Sequence, residues 1–316
     1  MKTNTKTNNI IKISETDNEV IKELRTNFSK ISFLGYPKIT KRWRLNIKKI
    51  RHLVKYKDPR AFLRWDVIRA TMYPSKSENY LMFERKQLMT KSKWLNNWQS
   101  INKGGNIGKP EINSYPPILS DANSIHHAYQ LIQVEDKLKI SFKKLNFIFE
   151  VGGGYGNMCR LIHNLGFKGT YVIFDLPELS YLQTFYLKLL KFNLNKIVLP
   201  TKNGIYCVSD FNNLKKLLQN IKLKREALFI ATWSLSEVPI VLRNRIASLI
   251  NGFNYYLITY QDSFDSIDNN EYFFKWRRMK KNVTWFNWEM KHISNNYYLI
   301  GKGDPQNKSL EKINSK

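Results

Sequence analysis

The stretch that decides the fold is Phe147-Ile-Phe-Glu-Val-Gly-Gly-Gly-Tyr-Gly-Asn-Met-Cys-Arg160. An apolar segment typical of a buried strand leads into four glycines, and an amphipathic segment typical of a helix follows. Glycines let a ligand approach the backbone closely, and the first turn of a helix presents free N–H groups and the positive end of its dipole. The stretch therefore predicts a cofactor-binding loop at the carboxyl end of a first parallel strand.

The spacing of the glycines separates two classes of nucleotide cofactor. A dinucleotide loop needs G-x-G-x-x-G or -A, but the last position falls on Asn157 or Cys159, depending on the first glycine counted. The pattern present is an acid followed by x-G-x-G-x-G, with Glu150 two residues before Gly152. That pattern is the form seen in S-adenosylmethionine methyltransferases, where the acid helps to hold the amino-acid end of the cofactor.

Two further acids end predicted strands. Asp175 lies 19 positions after Gly156, and a carboxylate there can accept hydrogen bonds from both hydroxyls of a ribose. Asp210 ends a third strand and is followed by Phe211, a pair that lies beside the adenine in this fold. Each acid alone also fits an ordinary helix cap. Together, and in this order, they predict a site for S-adenosylmethionine.

The rest of the chain divides near residue 145. Residues 19–145 show helical spacing of apolar side chains and predict a helical substrate or lid region, with an irregular loop at 103–117. Residues 1–18 and 303–316 are polar and predict a disordered arm and tail. From residue 146 to 302, short apolar runs alternate with amphipathic segments, and strands are predicted at 147–151, 170–175, 205–208, 227–232, 255–259, 284–286 and 297–301. This alternation predicts an α/β fold with a mainly parallel seven-stranded sheet. The cofactor motifs described above are those of the Rossmann-like class I methyltransferase fold.

The segments Glu150–Gly156 and Phe174-Asp-Leu-Pro-Glu-Leu resemble the bacterial sugar O-methyltransferases, a family that accompanies surface-polysaccharide biosynthesis. The resemblance covers residues 60–302 and includes the segments Trp233-Ser-Leu-Ser-Glu237, Tyr260-Gln-Asp262 and His292-Ile-Ser-Asn-Asn-Tyr-Tyr-Leu299. It implies S-adenosylmethionine as the methyl donor and a glycan hydroxyl as the acceptor. The residues expected to bind the cofactor are Glu150, Gly152, Gly154, Tyr155, Gly156, Asp175, Leu176, Asp210 and Phe211.

A sugar hydroxyl is a poor nucleophile, so its methylation calls for a general base close to the acceptor oxygen. Three candidates lie near strand ends: Glu237 after the fourth strand, Asp262 after the fifth, and His292 before the last. Each also has a plain structural interpretation, as a helix cap, a loop acid and a turn residue respectively.

Four other residues are candidates for contacts with the acceptor. Trp233 and Tyr260 stand at strand ends, where an aromatic ring can stack on a sugar, although core packing is the ordinary role of both. His126 and His127 begin the helix before the glycine loop, and one of them could face the site. No H-x-H or H-E-x-x-H spacing is present, so no metal site is predicted.

The chain is strongly basic, with 52 Lys and Arg against 25 Asp and Glu and a formal charge of +27. Residues 1–145 carry 29 basic and 12 acidic residues, so the excess lies mainly outside the cofactor motifs. Between Lys38 and Arg69 there are twelve basic residues and two acids, with aromatic residues interleaved. This stretch is either a solvated helix face or a surface for an anionic membrane, a phosphorylated glycan or RNA.

The sequence therefore predicts a cytoplasmic methyltransferase acting on a nucleotide sugar, a lipid-linked glycan or a polysaccharide. The cytoplasm is expected because only two cysteines are present and no long apolar run occurs. Two alternatives stay open: an RNA methyltransferase, and a binding protein that retains the fold without catalysis.

Overall fold

The structure, a computed structural model, describes residues 16–32, 39–73, 78–112, 116–197, 203–221 and 226–304. The strands are β1 (Phe147–Val151), β2 (Thr170–Phe174), β3 (Gly204–Val208), β4 (Ala227–Thr232), β5 (Tyr255–Gln261), β6 (Ser263–Phe264), β7 (Ile267–Asp268), β8 (Val283–Glu289) and β9 (Asn296–Gly303). The helices before the sheet are α1 (Thr16–Ser29), α2 (Lys41–Tyr56), α3 (Asp66–Met72), α4 (Glu78–Met89), α5 (Ser92–Asn96), α6 (Trp98–Ile101) and α7 (Ala122–Leu138). Those within it are α8 (Asn157–Asn164), α9 (Pro177–Leu189), α10 (Phe211–Asn220), α11 (Ile240–Leu249) and α12 (Asn269–Met279).

Seven strands form one sheet in the order β3-β2-β1-β4-β5-β9-β8. The five strands from β3 to β5 pair in parallel, whereas β9 runs antiparallel to both of its neighbours, β5 and β8. This mainly parallel seven-stranded sheet with helices confirms the predicted fold class. The order reverses between β1 and β4, and in open parallel sheets such a reversal places a ligand crevice at the carboxyl ends of the strands.

Both faces of the sheet are covered, as parallel strands with continuous apolar runs require. Successive side chains of a strand point to opposite faces, so the residues of β1 alternate between two hydrophobic clusters. Ile148 belongs to a cluster that includes residues of α7, α8 and α9, whereas Phe147 and Phe149 belong to one that includes residues of α10, α11 and α12. The strand is therefore held in register from both sides.

The helices that precede the sheet pack into the first of these clusters. Ile47, Ile50 and Val54 of α2 are buried in the same cluster as Leu161 of α8. Helix α7 packs against α4 and α8, and α1 packs against α9. The helical segment and one face of the sheet thus share a continuous core, which fixes α2 and α7 relative to the glycine loop.

Most of the predicted elements appear with small shifts of their ends, and three observations differ from the expectation. Helix α1 begins at Thr16, inside the stretch expected to be a disordered arm, and β9 ends at Gly303, where the tail was expected to begin. Helix α12 and the β6–β7 hairpin were not predicted. Residues 1–15 and 305–316, which carry the rest of the arm and tail predictions, lie outside the described residues.

No helix in the described ranges is both long and apolar enough to cross a membrane.

Candidate active site

A cavity of about 650 Å³ opens at the carboxyl ends of the parallel strands. Its other walls include the N-terminal part of α2, the end of α3, the first half of α7, the 3₁₀ turn Leu235–Glu237 and the first half of α11. It brings together twelve of the sixteen residues expected at the site: Glu150, Gly152, Gly154, Tyr155, Asp175, Leu176, Asp210, Phe211, His126, His127, Trp233 and Glu237.

The glycine loop lies against the chain that follows β4. Gly152 has φ +70°, and a Cβ placed on it would lie 2.1 Å from the Cβ of Ser234. A side chain is therefore excluded both by the backbone conformation and by the packing. Gly156 also has positive φ and starts α8, but it does not line the cavity.

Glu150 lies at the bottom of the loop, almost completely buried. Its carboxyl group accepts a hydrogen bond from the Tyr171 hydroxyl at 2.9 Å. Burial raises the pKa of Glu150 to about 8, and the nearby carboxyl of Asp175 adds to the shift. A cationic group placed beside Glu150 would stabilise its ionised form, which suits the ammonium of an amino acid.

Asp175 follows β2 and is already bound to the protein through both carboxylate oxygens. Oδ2 accepts from the backbone N–H of Gly154 at 3.1 Å and from Nε2 of Gln183 at 2.9 Å, and Oδ1 accepts from the N–H of Leu176 at 2.8 Å. A carboxylate has about four acceptor positions, so one is left for a ribose hydroxyl instead of the two that were expected. Burial raises the pKa of Asp175 to about 7.

Asp210 and Phe211 lie at the start of α10, on the same rim of the cavity. Asp210 caps the helix by accepting a hydrogen bond from the backbone N–H of Asn213 at 2.8 Å. The Phe211 ring meets Phe174 edge-on, and the guanidinium of Arg245 lies 3.8 Å from its centroid. Asp210 thus combines the capping role with a place on the cavity wall, and its neighbours form an aromatic and cationic surface suited to a planar base.

Glu237 is the candidate base that the fold brings into the cavity. Its Oε2 accepts a hydrogen bond from Nε1 of Trp43 at 2.9 Å, and its Oε1 accepts from Nε2 of Gln261 at 3.4 Å. Burial raises the pKa of Glu237, and the hydrogen bond from Trp43 opposes that shift. A carboxylate held at two atoms, with a raised pKa, has the properties of a general base.

The structure does not bring Asp262, His292 or Tyr260 to the cavity. Asp262 accepts a hydrogen bond from the Ser263 hydroxyl in the turn after β5, and the side chain of Tyr260 stacks on Tyr297 inside the core. Nε2 of His292 lies 2.9 Å from the buried carboxylate of Glu84. All three residues were expected near the site because they lie next to strand ends. Their side chains instead make packing or turn contacts outside the cavity.

The two histidines of α7 differ in their surroundings. His126 is buried, with Nδ1 2.7 Å from Oε1 of Glu84 and Nε2 3.0 Å from Nε2 of Gln130. Its ring packs on Trp233 with centroids 5.0 Å apart. His127 is half-buried and lines the cavity, and its Nδ1 lies 3.1 Å from Nδ2 of Asn157.

Trp233 lies at the end of β4 with φ +57°, a conformation that is rare for an aromatic residue. Its backbone N–H donates to the carbonyl of Thr259 at 2.8 Å, and its indole N–H donates to Oδ1 of Asn296 at 2.6 Å. These bonds hold the indole on the cavity wall.

Several cavity residues were not predicted. They come from elements far from the glycine loop in sequence and are Thr40, Arg42, Trp43, Asn46, Asn123, Arg245, Gln261 and Asn296. The only signal for the first four was the aromatic residue within the basic stretch, which indicated a surface and not a cavity.

Among the described residues, no group of three His, Cys, Asp or Glu side chains is arranged to hold a metal ion.

No family model and no curated protein matches this chain. Solved structures with similar folds include the magnesium protoporphyrin IX methyltransferase ChlM from Synechocystis PCC 6803 with bound SAM, at 11% identity and a TM-score of 0.39, over 73% of this chain and 100% of that one. The METTL16 MTase domain is 11% identical, with a TM-score of 0.40, over 57% of this chain and 68% of that one. The Methanococcus jannaschii fibrillarin pre-rRNA processing protein is 11% identical, with a TM-score of 0.37, over 52% and 69% of the two chains.

Proposed function

We propose that this protein is an S-adenosylmethionine-dependent O-methyltransferase whose acceptor is a carbohydrate hydroxyl. The observation that carries the proposal is one cavity that joins the glycine loop and the strand-end acids Glu150, Asp175 and Asp210 to the half-buried carboxylate of Glu237. We call the part lined by the glycine loop, Glu150, Asp175 and Phe211 the cofactor half, and the part lined by Glu237 and Trp233 the acceptor half. The two halves share one space, as direct methyl transfer requires.

The residues of the cofactor half fit the donor. The backbone of Gly152 and Gly154 can approach the ligand closely, and Glu150 would pair with its ammonium group. Asp175 has one acceptor position for a ribose hydroxyl, and Phe211 with Arg245 would hold the adenine. When bound, S-adenosylmethionine would supply a methyl group that is already activated on a sulfonium.

The acceptor half supplies a base and a wall that excludes water. Glu237 would take up the proton that the acceptor hydroxyl loses as its oxygen is methylated. The hydrogen bond from Trp43 to Glu237 fixes the direction of the carboxylate, so that one oxygen can face the acceptor. Such positioned proton transfer contributes roughly 10²–10⁴ in rate.

A carbohydrate acceptor is supported by the polar character of this half and by the resemblance of the sequence. The indole of Trp233, which is bound to Asn296, offers an aromatic surface in the cavity that the polar side chains of Asn123 and His127 also line. Sugars present apolar ring faces edged with hydroxyls, which match such a mixture. The acceptor would be a nucleotide sugar, a lipid-linked glycan or a polysaccharide.

RNA is the second candidate acceptor, because helix α2 carries an exposed basic face and also supplies cavity residues. Phosphate contacts by lysine and arginine would then make binding strongly dependent on salt.

The test is methyl transfer from labelled S-adenosylmethionine to separate pools of nucleotide sugars, lipid-linked glycans, polysaccharide and RNA. Label in a carbohydrate pool is expected; label in RNA alone would replace the carbohydrate proposal with the second candidate. Cofactor binding is measured separately by the thermal shift with S-adenosylhomocysteine. Asp175→Ala should abolish that shift, whereas Asp268→Asn, at the exposed cap of α12, should leave it unchanged. Binding without transfer to any pool would favour a non-catalytic protein.

A further inference from the structure

Two residues of α7, Asn123 and His127, stand four positions apart and both line the cavity. Residues at this spacing lie one above the other on the same face of a helix, about 5–6 Å apart. Their polar side chains therefore lie on the face of α7 that borders the cavity.

His127 is held in place through Asn157 and a buried arginine. Arg160 is fully buried, and its Nε and Nη2 donate to Oδ1 of Asn157 at 3.1 and 2.8 Å. A guanidinium only donates hydrogen bonds, so the atom of Asn157 that it contacts must be the oxygen. The amide nitrogen of Asn157 must then face His127, at 3.1 Å from Nδ1.

This contact determines which nitrogen of His127 carries the proton. Because Nδ2 of Asn157 donates, Nδ1 of His127 must accept, and the proton of the neutral ring lies on Nε2. Burial lowers the pKa of His127 well below its ordinary value, so the ring is neutral. Nε2 makes no hydrogen bond to any residue in the described part of the chain.

Asn123 supplies the complementary group. Its Nδ2 donates to the hydroxyl of Tyr155 at 3.1 Å. Its Oδ1 is buried and has no hydrogen-bond partner among the described residues. A buried amide oxygen without a partner is costly, and a ligand that donates a hydrogen bond would satisfy it.

We propose that Nε2–H of His127 and Oδ1 of Asn123 form a donor–acceptor pair that binds hydroxyl groups of the acceptor. Asn157 and Arg160 are positioning residues that act through His127. A hydroxyl both accepts and donates, so one hydroxyl or two adjacent hydroxyls would satisfy both atoms. A fully ionised phosphate would leave Asn123 without a donor. This proposal rests on the proposed function and narrows its acceptor to a polyol, with no requirement for charge at this wall.

The neighbouring His126 does not belong to the pair, because both of its ring nitrogens are already engaged with Glu84 and Gln130.

The first experiment determines the protonated nitrogen of His127 by long-range proton–nitrogen NMR of the full chain. The chain has five histidines, and the spectrum of His127→Gln assigns the signals of His127 by their loss. We expect the Nε2–H form in the wild type. In Asn157→Asp, the carboxylate still accepts from Arg160 but now also accepts from the ring, so the proton should move to Nδ1. An Nδ1–H form in the wild type would overturn the proposal.

The second experiment uses the carbohydrate pool that accepts label and compares His127→Gln with His127→Leu. The glutamine amide nitrogen can replace Nε2–H, whereas leucine fills the space without a donor. We expect KM for the acceptor to rise about tenfold in His127→Leu and Asn157→Asp and to stay within about threefold in His127→Gln. Affinity for S-adenosylhomocysteine and the melting temperature should change little in all three variants. Equal KM values for Gln and Leu would show that no donor is used at this position.

The two proposals fail in different ways. If no carbohydrate accepts the methyl group, the proposed function fails, while the NMR result still decides whether α7 presents a fixed Nε2–H donor.

Discussion

Single residues in the cofactor half carry an electrostatic cost in the ligand-free protein. Glu150 and Asp175 lie close together, and burial raises their pKa values to about 8 and about 7. Ionising either group at neutral pH is opposed by burial, and a neighbouring carboxyl adds to this cost: Asp175 for Glu150, and Glu178 for Asp175. A ligand with a positive charge and hydroxyl groups would relieve that cost, which is consistent with a cofactor site.

The raised pKa of Glu150 predicts how the stability of the ligand-free protein depends on pH. Protonated Glu150 contributes to the stability of the folded protein. This contribution is complete below the ordinary pKa of the side chain, 4.5, and is lost as the pH rises through the folded-state pKa of about 8. Glu150→Gln keeps an acceptor for Tyr171 and removes the charge. We expect it to raise the melting temperature clearly at pH 8, where the linkage amounts to at most about 4 kcal/mol, and much less at pH 5, where it amounts to less than about 1 kcal/mol. Thermal unfolding at the two pH values tests this, and an equal shift at both would contradict it.

Glu237 gives the second prediction at this scale. Glu237→Gln preserves the shape of the side chain and removes its ability to take a proton, so turnover should fall by roughly 10²–10⁴. Affinity for S-adenosylhomocysteine should stay unchanged, because the residue lies in the acceptor half. Turnover measured with the labelled cofactor tests this against Glu271→Gln, an exposed carboxylate of α12. Full activity of Glu237→Gln would leave the base unidentified.

What the sequence could predict at this scale depends on how local each contact is. Glu150 and Asp175 were predicted because they lie beside the glycine loop in the chain or end the next strand. Asn123 and Trp43 were missed because they reach the cavity only after α7 and α2 pack on the sheet. Asp262 was expected near the site because it directly follows β5. Its carboxylate instead accepts a hydrogen bond from Ser263 in the turn, and it does not line the cavity.

Among the elements, α2 joins the two halves of the cavity. Near its start, Trp43 binds Glu237 of the acceptor half, and eight residues on, Arg51 pairs with the buried Glu178 of α9, three residues after Asp175. The helix begins with Thr40 as its cap and buries Ile47 and Ile50 beneath it. Helix α2 therefore forms a fixed wall of the cavity. Its residue Trp43 contacts the candidate base Glu237 directly.

Trp43→Phe tests this connection between α2 and the base. The ring remains, but the N–H that stabilises the ionised form of Glu237 is lost, so the pKa of Glu237 should rise. A base must be ionised to act, and the acidic limb of the pH–rate profile should therefore move to higher pH. On that limb, turnover should fall by roughly tenfold, because a hydrogen bond to a charged group contributes about 1.5–3 kcal/mol. A profile that keeps its position while the rate falls would show that Trp43 acts by packing alone.

The burial of each element explains whether the sequence could predict it. Strands β1 and β4 appear with the predicted ends because they are buried on both faces and read as continuous apolar runs. β8 is an edge strand with three of its seven residues exposed and none buried, so only residues 284–286 near its start were predicted. Helix α12 follows the hairpin β6–β7 within a polar stretch, and its contact with the core depends on Phe273 and Trp276, which pack only in the folded chain.

On the scale of the whole molecule, part of the formal charge of +27 is concentrated on one exposed helix face. The exposed face of α2 carries Lys41, Arg44, Lys48, Lys49 and Lys55, and α2 contains no acid. On the same face, Leu45 and Tyr56 are 52% and 60% exposed. Basic residues interleaved with exposed apolar groups favour an anionic membrane surface over RNA, for which arginine and base-stacking surfaces are typical. The face adjoins the cavity, so a lipid-linked acceptor could be presented there.

Binding to lipid vesicles tests this surface. We expect the protein to sediment with vesicles of phosphatidylglycerol and phosphatidylcholine but not with phosphatidylcholine alone, and less at high salt. Each lysine near an anionic surface contributes about 1 kcal/mol, so Lys48→Glu with Lys49→Glu should weaken binding by at least about tenfold. The matched control is Lys215→Glu with Lys216→Glu, an adjacent exposed pair on α10 with the same change of charge. If both pairs weaken binding equally, the net charge and not the α2 face is responsible. If the α2 pair instead abolishes binding to RNA and leaves the vesicles unaffected, the surface belongs to a nucleic-acid partner.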